Sequence, residues 1–289
     1  MSAHLKGLLV TTLGVLFVVP DSLFVRLIEA EPLVTAFWRG MTSGVIILAG
    51  LLAVRGPRAF AQVLRSGWAG AVYVGLIGFT APGFVLAVAY TSVANVVFIF
   101  AAMPIFSAIL ARIFLKEPIS RRVVLTMGAV MAGIGIIAYG SAENEIASWK
   151  GDVFALLVCV AYAGALTAVR GLRAISMVPA IPLAYIGAAL VLWPFVQPMA
   201  PVETQWPLLL GHGGAIAVAT SLMTLGPRYI SAPEVALLIL LESVLAPLLV
   251  WAVVGEDPGG WALVGGAVVI AALLLSNLVA LRRRRRRAA

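Results

Sequence analysis

The stretch Tyr90-Thr-Ser-Val-Ala-Asn decides the fold, because a related stretch, Tyr229-Ile-Ser-Ala-Pro-Glu, occurs 139 residues later. The same offset pairs Tyr73 with His212, Gly75 with Gly214 and Glu117 with Glu256. Near the beginning of each half, Lys6-Gly7 recurs as Lys150-Gly151 at an offset of 144. The second half of the chain therefore repeats the first half.

The composition places this repeat in a membrane. Of the 289 residues, 62% are hydrophobic and only 11% are charged, and the mean hydropathy is +1.08. A bilayer span needs roughly 20 apolar residues, and ten segments of suitable length and composition follow one another. We predict spans near residues 7–29, 34–54, 67–89, 93–115, 121–139, 150–170, 178–198, 206–229, 233–253 and 260–281.

Each half contains five predicted spans. Because five is odd, the second half enters the membrane from the opposite side, and such inverted repeats are typical of alternating-access transporters. We therefore predict an all-α membrane protein with ten transmembrane helices, arranged as two inverted five-helix repeats around a central cavity. The repeats cover residues 1–140 and 145–281, and a cytoplasmic basic tail follows at 282–289.

Charge predicts the orientation of the spans. With both termini in the cytoplasm, every basic residue except Arg26, Arg39 and Lys150 lies on the cytoplasmic side, and the outer loops are acidic. This positive-inside pattern predicts a protein of the bacterial inner membrane. The run Arg282–Arg287 directly follows a span, so we interpret it as an anchor on anionic lipid rather than a nucleic-acid-binding segment.

Three further features limit the possibilities. The first span is longer than the apolar region of a signal peptide, about 7–15 residues, and it has a counterpart in mid-chain, so we expect it to be retained. The single cysteine, Cys159, excludes an internal disulfide. The sequence has no metal-ligand spacing, phosphate loop or nucleophile elbow, so we expect neither a cofactor, nor a bound metal, nor an enzyme.

The repeated block continues with Met103-Pro-Ile-Phe-Ser-Ala and Lys116-Glu-Pro in the first half, and with Glu242-Ser-Val-Leu-Ala-Pro and Gly255-Glu in the second. These motifs resemble the paired EamA-type repeats of the drug/metabolite transporter superfamily, over nearly the whole chain. Val19-Pro20 and Glu242-Ser243 depart from the Trp-Gly and Glu-Pro pairs common there. The further resemblance to YddG-like amino-acid exporters implies a central cavity lined mainly by spans 3, 4, 8 and 9, with spans 1 and 6 beside it.

Glu242 is the most deeply placed ionisable residue. It lies about nine residues into span 9, or roughly 14 Å along the helix, where a charge costs roughly 2.5–3.5 kcal/mol. Its carboxyl group could bind a proton or a substrate amine. The alternative is a protonated or hydrogen-bonded carboxyl group that packs between helices.

Asp21 and Arg39 have similar predicted depths, roughly 7–10 Å below the outer face. Opposite charges at equal depth on successive antiparallel spans predict an intramembrane ion pair. Asp21 aligns with Ala165 in the other half, so the repeat itself does not require the pair. We favour a structural role for the pair over direct contact with substrate.

Two polar positions open spans 9 and 4. Ser231-x-x-Glu234 fits a capping box, and Asn95, the counterpart of Glu234, is expected to cap span 4 in the same way. Asn95 also shares a helix face with Phe98, so a role along the substrate path remains open for both residues.

The remaining candidates for the substrate pathway are aromatic or adaptable side chains. They are Tyr73, Phe79, Phe98, Tyr162, His212 and Met223. Tyr73 and His212 occupy matched positions of spans 3 and 8. The alternative for His212 is a hydrogen-bonded residue of the helix core.

These features predict an alternating-access exporter of small metabolites, with aromatic or other bulky neutral amino acids as substrates. A multidrug exporter in which Glu242 binds cations is the first alternative, and an intramembrane enzyme or sensor is the second. We expect a monomer in the lipid bilayer, with a small-molecule substrate and no nucleic-acid partner.

Overall fold

The computed structural model describes residues 3–141, 147–170, 177–230 and 232–288, which form helices joined by short connections. The α-helices are α1 (Ala3–Val18), α2 (Asp21–Leu27), α3 (Pro32–Arg55), α4 (Ala61–Leu64), α5 (Gly67–Tyr90), α6 (Val93–Ala101), α7 (Met103–Phe114), α8 (Arg121–Ser141), α9 (Trp149–Arg170), α10 (Ala180–Leu192), α11 (Val202–Leu225), α12 (Ala232–Val254) and α13 (Gly260–Ala288). Short 3₁₀ turns cover Pro57–Phe60, Trp193–Phe195 and Gly226–Arg228.

Most of these helices are long enough to cross a membrane. Among the described residues, eight helical segments are long and apolar enough to cross a membrane, with α1 and α2 taken together as one segment. The pair α6 and α7 is a ninth candidate, bent by 40°, whereas the apolar helix Ala180–Phe195 is shorter. The prediction of an all-helical, multi-pass protein is confirmed, and ten complete spans remain a prediction.

Two prolines account for the broken helices. Pro20 has no N–H to donate to the carbonyl of Leu16, so α1 ends at Val18 and α2 begins at Asp21. Pro104 likewise cannot donate to Phe100, and the chain bends between α6 and α7. Both predicted spans are therefore helix pairs, and the first break places Asp21 at a helix N-terminus.

The final helix is longer than predicted. The expected span ended at residue 281, but α13 continues to Ala288. The backbone of residues 282–288 is therefore a helical extension of the last span rather than a separate tail. Helix-forming arginines that follow an apolar helix without a glycine or proline give no reason for it to end.

The helix contacts occur in matched pairs when the two halves are exchanged. α1 packs on α11 as α9 packs on α5, and α3 packs on α11 as α10 packs on α5. The contacts α3 with α10, α6 with α12 and α8 with α13 each join two matched elements. This pairing is the pattern that a two-fold relation between the halves would produce.

Glycines permit the closest of these matched contacts. A Cβ added at Gly7 would lie 2.6 Å from the Cβ of Tyr229, and a Cβ added at Gly151 would lie 2.5 Å from the backbone nitrogen of Thr91. Gly7 and Gly151 are repeat counterparts, and each packs against the connection that precedes a matched helix. Small residues at these points let the helices approach closely.

This packing predicts that Gly151→Ala destabilises the protein by about 1–3 kcal/mol, because the new methyl group meets backbone atoms. Gly214→Ala is the matched control, since nothing lies within 4 Å of a Cβ at that position. The measurement is the temperature at which the buried thiol of Cys159 becomes reactive. Equal transition temperatures for the two variants would contradict the predicted contact.

The bundle has two ends, the Glu256 end and the Glu117 end, each called after one of two glutamates at matched positions of the repeat. The Glu256 end carries the α2–α3, α5–α6, α8–α9 and α12–α13 connections, and the Glu117 end carries the α7–α8 and α11–α12 connections. Between them, Asp21 of α2 lies where α3 and α11 meet. This junction positions the candidate site.

Candidate functional site

Asp21 and Arg39 form a buried ion pair. The Nε and Nη2 atoms of Arg39 donate to the two carboxylate oxygens of Asp21 at 2.9 and 2.6 Å. Both residues are buried, with relative exposures of 4% and 8%. Asp21 lies in the first turn of α2, where the helix dipole stabilises a negative charge. The structure thus brings together the two charges whose equal depth was predicted from the sequence.

His212 is a third member of this group. Its Nε2 lies 2.6 Å from Oδ1 of Asp21, and its ring stacks on Phe24 at 5.3 Å between centroids. Because Asp21 is paired with an arginine and accepts hydrogen bonds, we assign the ring proton of His212 to Nε2. The other ring nitrogen, Nδ1, is buried and has no hydrogen-bond partner among the described residues.

Arg39 is held on several sides. Its guanidinium lies over the ring of Phe84, 5.1 Å from the centroid, and it interacts electrostatically with Tyr185 and Glu242. A buried guanidinium that faces a carboxylate and an aromatic ring retains its charge and a fixed orientation. Arg39 of α3 therefore joins α2 and α5 around one positive charge.

Glu242 belongs to the same region of the interior. It interacts electrostatically with Asp21, Arg39 and Tyr162, yet its side chain remains partly accessible. The next residue, Ser243, donates a hydrogen bond to the carbonyl of Val97 at 3.4 Å, which joins α12 to α6. Glu242 is thus a partly exposed residue within electrostatic range of the buried ion pair.

Three tyrosines lie near these charges. Tyr73, Tyr162 and Tyr185 interact electrostatically with one another. Tyr73 is buried in a cluster that includes Tyr185 and Ile216, whereas Tyr162 is 38% exposed. Phe79, one turn from Gly83 on α5, is 37% exposed. Of the predicted aromatic wall, Tyr162 and Phe79 are therefore the members whose side chains are partly exposed.

The position of Phe98 differs from the prediction, because this residue is not part of an aromatic wall. Its ring is buried with Ala94, Ile137 and Ala262, and it contacts Gly266 of α13 so closely that a Cβ there would lie 2.4 Å away. It packs α6 against α8 and α13, so it does not line a path with Tyr162. Met223 is partly exposed and packs on Gly14 of α1.

Asn95 lies in a buried polar cluster at the Glu256 end. Its Nδ2 donates to Ser141 Oγ at 2.7 Å and to Asp152 Oδ1 at 3.0 Å. Ser92 caps α6 by accepting from the backbone nitrogen of Asn95. The side chain of Asn95 therefore joins α6 to α8 and α9 and does not cap its own helix as predicted. Ser231, the predicted cap of span 9, lies outside the described residues.

The same end holds an ion pair between Arg26 and Glu256 that was not predicted from the sequence. Arg26 Nε donates to Glu256 Oε2 at 2.6 Å, and Arg26 Nη2 donates to the carbonyl of Thr91 at 2.9 Å. The second oxygen of Glu256 accepts from the backbone nitrogen of Val93, the first residue of α6, at 2.7 Å. One carboxylate thus links the α12–α13 connection to α2 and to the N-terminus of α6.

The Glu117 end has more exposed contacts. His4 Nε2 lies 2.8 Å from Glu234, and Lys6 Nζ lies 5.2 Å from the centroid of the Tyr229 ring. Lys6 and Tyr229 are the counterparts of Lys150 and Tyr90.

A surface groove of about 730 Å³ opens at the Glu256 end. It is lined by residues of α3, α5 and α9, including Tyr90, Lys150 and Phe154. None of the site residues predicted from the sequence lines it. Over the described part of the chain, no group of three or more His, Cys, Asp or Glu side chains could hold a metal ion.

Comparison with known proteins assigns the chain to a family. The model of the EamA-like transporter family matches residues 5–139 and again residues 149–278. No curated protein matches the sequence. A known crystal structure has a similar fold, with a TM-score of 0.67 and 16% identity over 96% of this chain and 99% of that chain. The two matches cover most of the sequence, so this chain belongs to the EamA-like transporter family and is a multi-pass membrane transporter of small molecules.

Proposed function

We propose that the protein is an alternating-access secondary transporter that exports bulky neutral amino acids, aromatic ones above all, across the bacterial inner membrane. It has ten spans in two inverted halves, and both termini lie in the cytoplasm. The Glu256 end is then the outer end and the Glu117 end is the cytoplasmic end.

The observation that carries this proposal is the accessible surface beside the buried ion pair. Tyr162 and Glu242 interact electrostatically with each other and are both partly exposed, although both lie near the middle of their helices. An aromatic face beside a carboxyl group suits a ligand with an apolar body and an ammonium group. Substrate sites near the bilayer midplane at the repeat interface are typical of such transporters.

The asymmetry between the ends supports alternating access. The Glu256 end is tied by a buried carboxylate and by the polar cluster around Asn95. Glu234, the counterpart of Asn95, instead pairs with the more exposed His4 at the Glu117 end. We infer that the structure represents a state closed on the outer side. The outer side opens when each half adopts the arrangement that the other half has in this state.

The experiment is transport by purified protein in liposomes. Vesicles loaded with a labelled amino acid are tested against a panel that contains phenylalanine, leucine, alanine and aromatic amines. The proposal predicts that phenylalanine and leucine exchange faster than alanine. Exchange of amines alone would favour the second candidate, a cation exporter, which the accessible carboxyl group of Glu242 would also suit. Exchange of neither class would contradict the proposed substrates.

Truncation of the aromatic surface tests the pathway. Tyr162→Ala removes an aromatic contact worth about 0.5–1.5 kcal/mol, so we expect transport of phenylalanine to fall by roughly 2- to 10-fold while alanine is little affected. Phe98→Ala is the control, because Phe98 is buried away from Tyr162 and its loss alters stability rather than selectivity. A selectivity change in Phe98→Ala but not in Tyr162→Ala would contradict the assignment.

A further inference from the structure

We propose that the surface groove at the Glu256 end binds a phospholipid with a zwitterionic headgroup, phosphatidylethanolamine. Lys150 pairs with the phosphate of the lipid, Glu31 pairs with its ammonium group, and an acyl chain lies along the apolar lining of the groove. The site is separate from the candidate substrate pathway, since the two share no residue.

Two opposite charges line this groove and are not paired with each other. They belong to Glu31 and Lys150, and among the described residues neither side chain forms a salt bridge. Glu31 is the N-cap residue of α3, but its carboxylate makes no capping hydrogen bond. Arg26 and Arg39, the other exceptions to the positive-inside pattern, are already paired with carboxylates. Glu31 and Lys150 therefore remain available to one ligand that carries both charges.

Lys150 differs from its counterpart in the other half because the adjacent tyrosine ring has another partner. At the Glu117 end, the counterpart lysine lies over the counterpart tyrosine, 5.2 Å from the ring centroid. At the Glu256 end, the ring of Tyr90 stacks on Phe154 at 6.1 Å between centroids. Phe154 aligns with Val10, which has no ring to stack. Phe154 thus occupies the tyrosine ring and leaves the Lys150 ammonium to the groove.

The apolar part of the groove extends into the membrane-spanning helices. Leu86 lies one turn before Tyr90 on α5, and Val153 lies one turn after Trp149 on α9, roughly 6 Å deeper. Trp149 is 68% exposed at the end of a candidate span, a typical position for an aromatic residue at the membrane interface. Because the charges lie at the helix ends and aliphatic side chains lie below them, a lipid fits the groove better than a free amino acid.

A lipid in this groove joins the two halves of the protein. Glu31 precedes α3 of the first half, Lys150 belongs to α9 of the second half, and both helices pack on α5. A molecule that binds both charges stabilises this arrangement relative to any arrangement in which they move apart. The lipid is therefore expected to stabilise the Glu256 end.

Native mass spectrometry of the delipidated full-length protein tests the site. The probes are dioleoyl phosphatidylethanolamine and dioleoyl phosphatidylglycerol, which has the phosphate but no ammonium group. We expect Lys150→Gln to weaken the binding of both lipids by roughly 2- to 5-fold, as for the loss of a partly exposed ion pair. Glu31→Gln should weaken phosphatidylethanolamine binding and strengthen phosphatidylglycerol binding, because it removes an attraction in the first case and a repulsion in the second.

Glu29→Gln and Lys116→Gln are the matched controls, because both side chains are exposed and neither lines the groove. Both controls should bind the two lipids as the wild type does. Unchanged binding in Lys150→Gln, or a change of the same sign for both lipids in Glu31→Gln, would overturn the proposal.

A variant that copies the other half tests how the groove is kept open. In Phe154→Val the Tyr90 ring loses its stacking partner, so the Lys150 ammonium can lie over it as in the counterpart pair. We expect weaker binding of both lipids, and undiminished binding would contradict the role given to Phe154.

Competition distinguishes a lipid from a free zwitterion. Glycerophosphoethanolamine carries the same headgroup without acyl chains, and phenylalanine carries both charges on a small apolar body. We expect neither compound, at the concentration of the lipid, to displace phosphatidylethanolamine. Displacement by either one would show that the groove recognises a free zwitterion and would overturn the assignment to a lipid.

Discussion

Removal of either charge of the Asp21–Arg39 pair is expected to destabilise the protein by about 3–5 kcal/mol, because the remaining charge is buried without its partner. The variants are Asp21→Asn and Arg39→Gln. Each should lower the folded yield and the temperature at which the thiol of Cys159 becomes reactive. Since Cys159 is the only cysteine and is buried, its reactivity reports unfolding without any further substitution.

The double variant separates pairing from general damage. Asp21→Asn with Arg39→Gln leaves no unpaired charge, so it should recover part of the loss, with a coupling energy of about 0.5–3 kcal/mol. Glu29→Gln, which removes an exposed carboxylate in the α2–α3 connection, is the control and should behave as wild type. If the double variant loses as much stability as the two single variants together, the two charges do not stabilise each other.

Disruption of the Arg26–Glu256 pair should open the Glu256 end. Glu256→Gln removes a buried charge that joins the α12–α13 connection to α2 and α6, so the closed arrangement loses stability relative to the open one. A change of about 1.4 kcal/mol shifts such an equilibrium tenfold. We expect a cysteine introduced at Ala94, in a Cys159→Ala background, to be alkylated at least tenfold faster when Glu256→Gln is present.

Symmetry supplies the control for this experiment. Glu117 is the counterpart of Glu256 at the other end, so Glu117→Gln should not increase the reactivity at position 94. An equal increase in both variants would indicate loosening of the whole bundle. No increase in Glu256→Gln would show that the pair does not hold this end closed.

Depth along the helices was sufficient to predict the buried pair. The positions of Asp21 and Arg39 within successive apolar segments gave the same distance from one face, and two antiparallel helices then place the charges side by side. The helix breaks follow from Pro20 and Pro104 by the same local reasoning. The limits of α13 were missed because apolar composition, and not helix propensity, defined the predicted span.

Contacts between distant parts of the chain were not predictable from one sequence. His212 approaches Asp21 across 191 residues, and Arg26 approaches Glu256 across 230; periodicity within a helix carries no information on either pairing. Phe98 was assigned to the pathway by residue type, but the face of α6 that it occupies meets α8 and α13. Asn95 shares that face, which explains its polar partner Ser141 on α8, whereas its other partner Asp152 comes from α9.

Two spin-label distances, measured in one set of conditions, test the central claim of alternating access by matched halves. The pair at His4 and Pro118 spans the Glu117 end, and its counterpart at Ser148 and Asp257 spans the Glu256 end, both in a Cys159→Ala background. Under conditions of turnover with phenylalanine, we predict that the Ser148–Asp257 distance increases in the population in which the His4–Pro118 distance decreases. Distances that rise and fall together, or that do not change while substrate is transported, would contradict it.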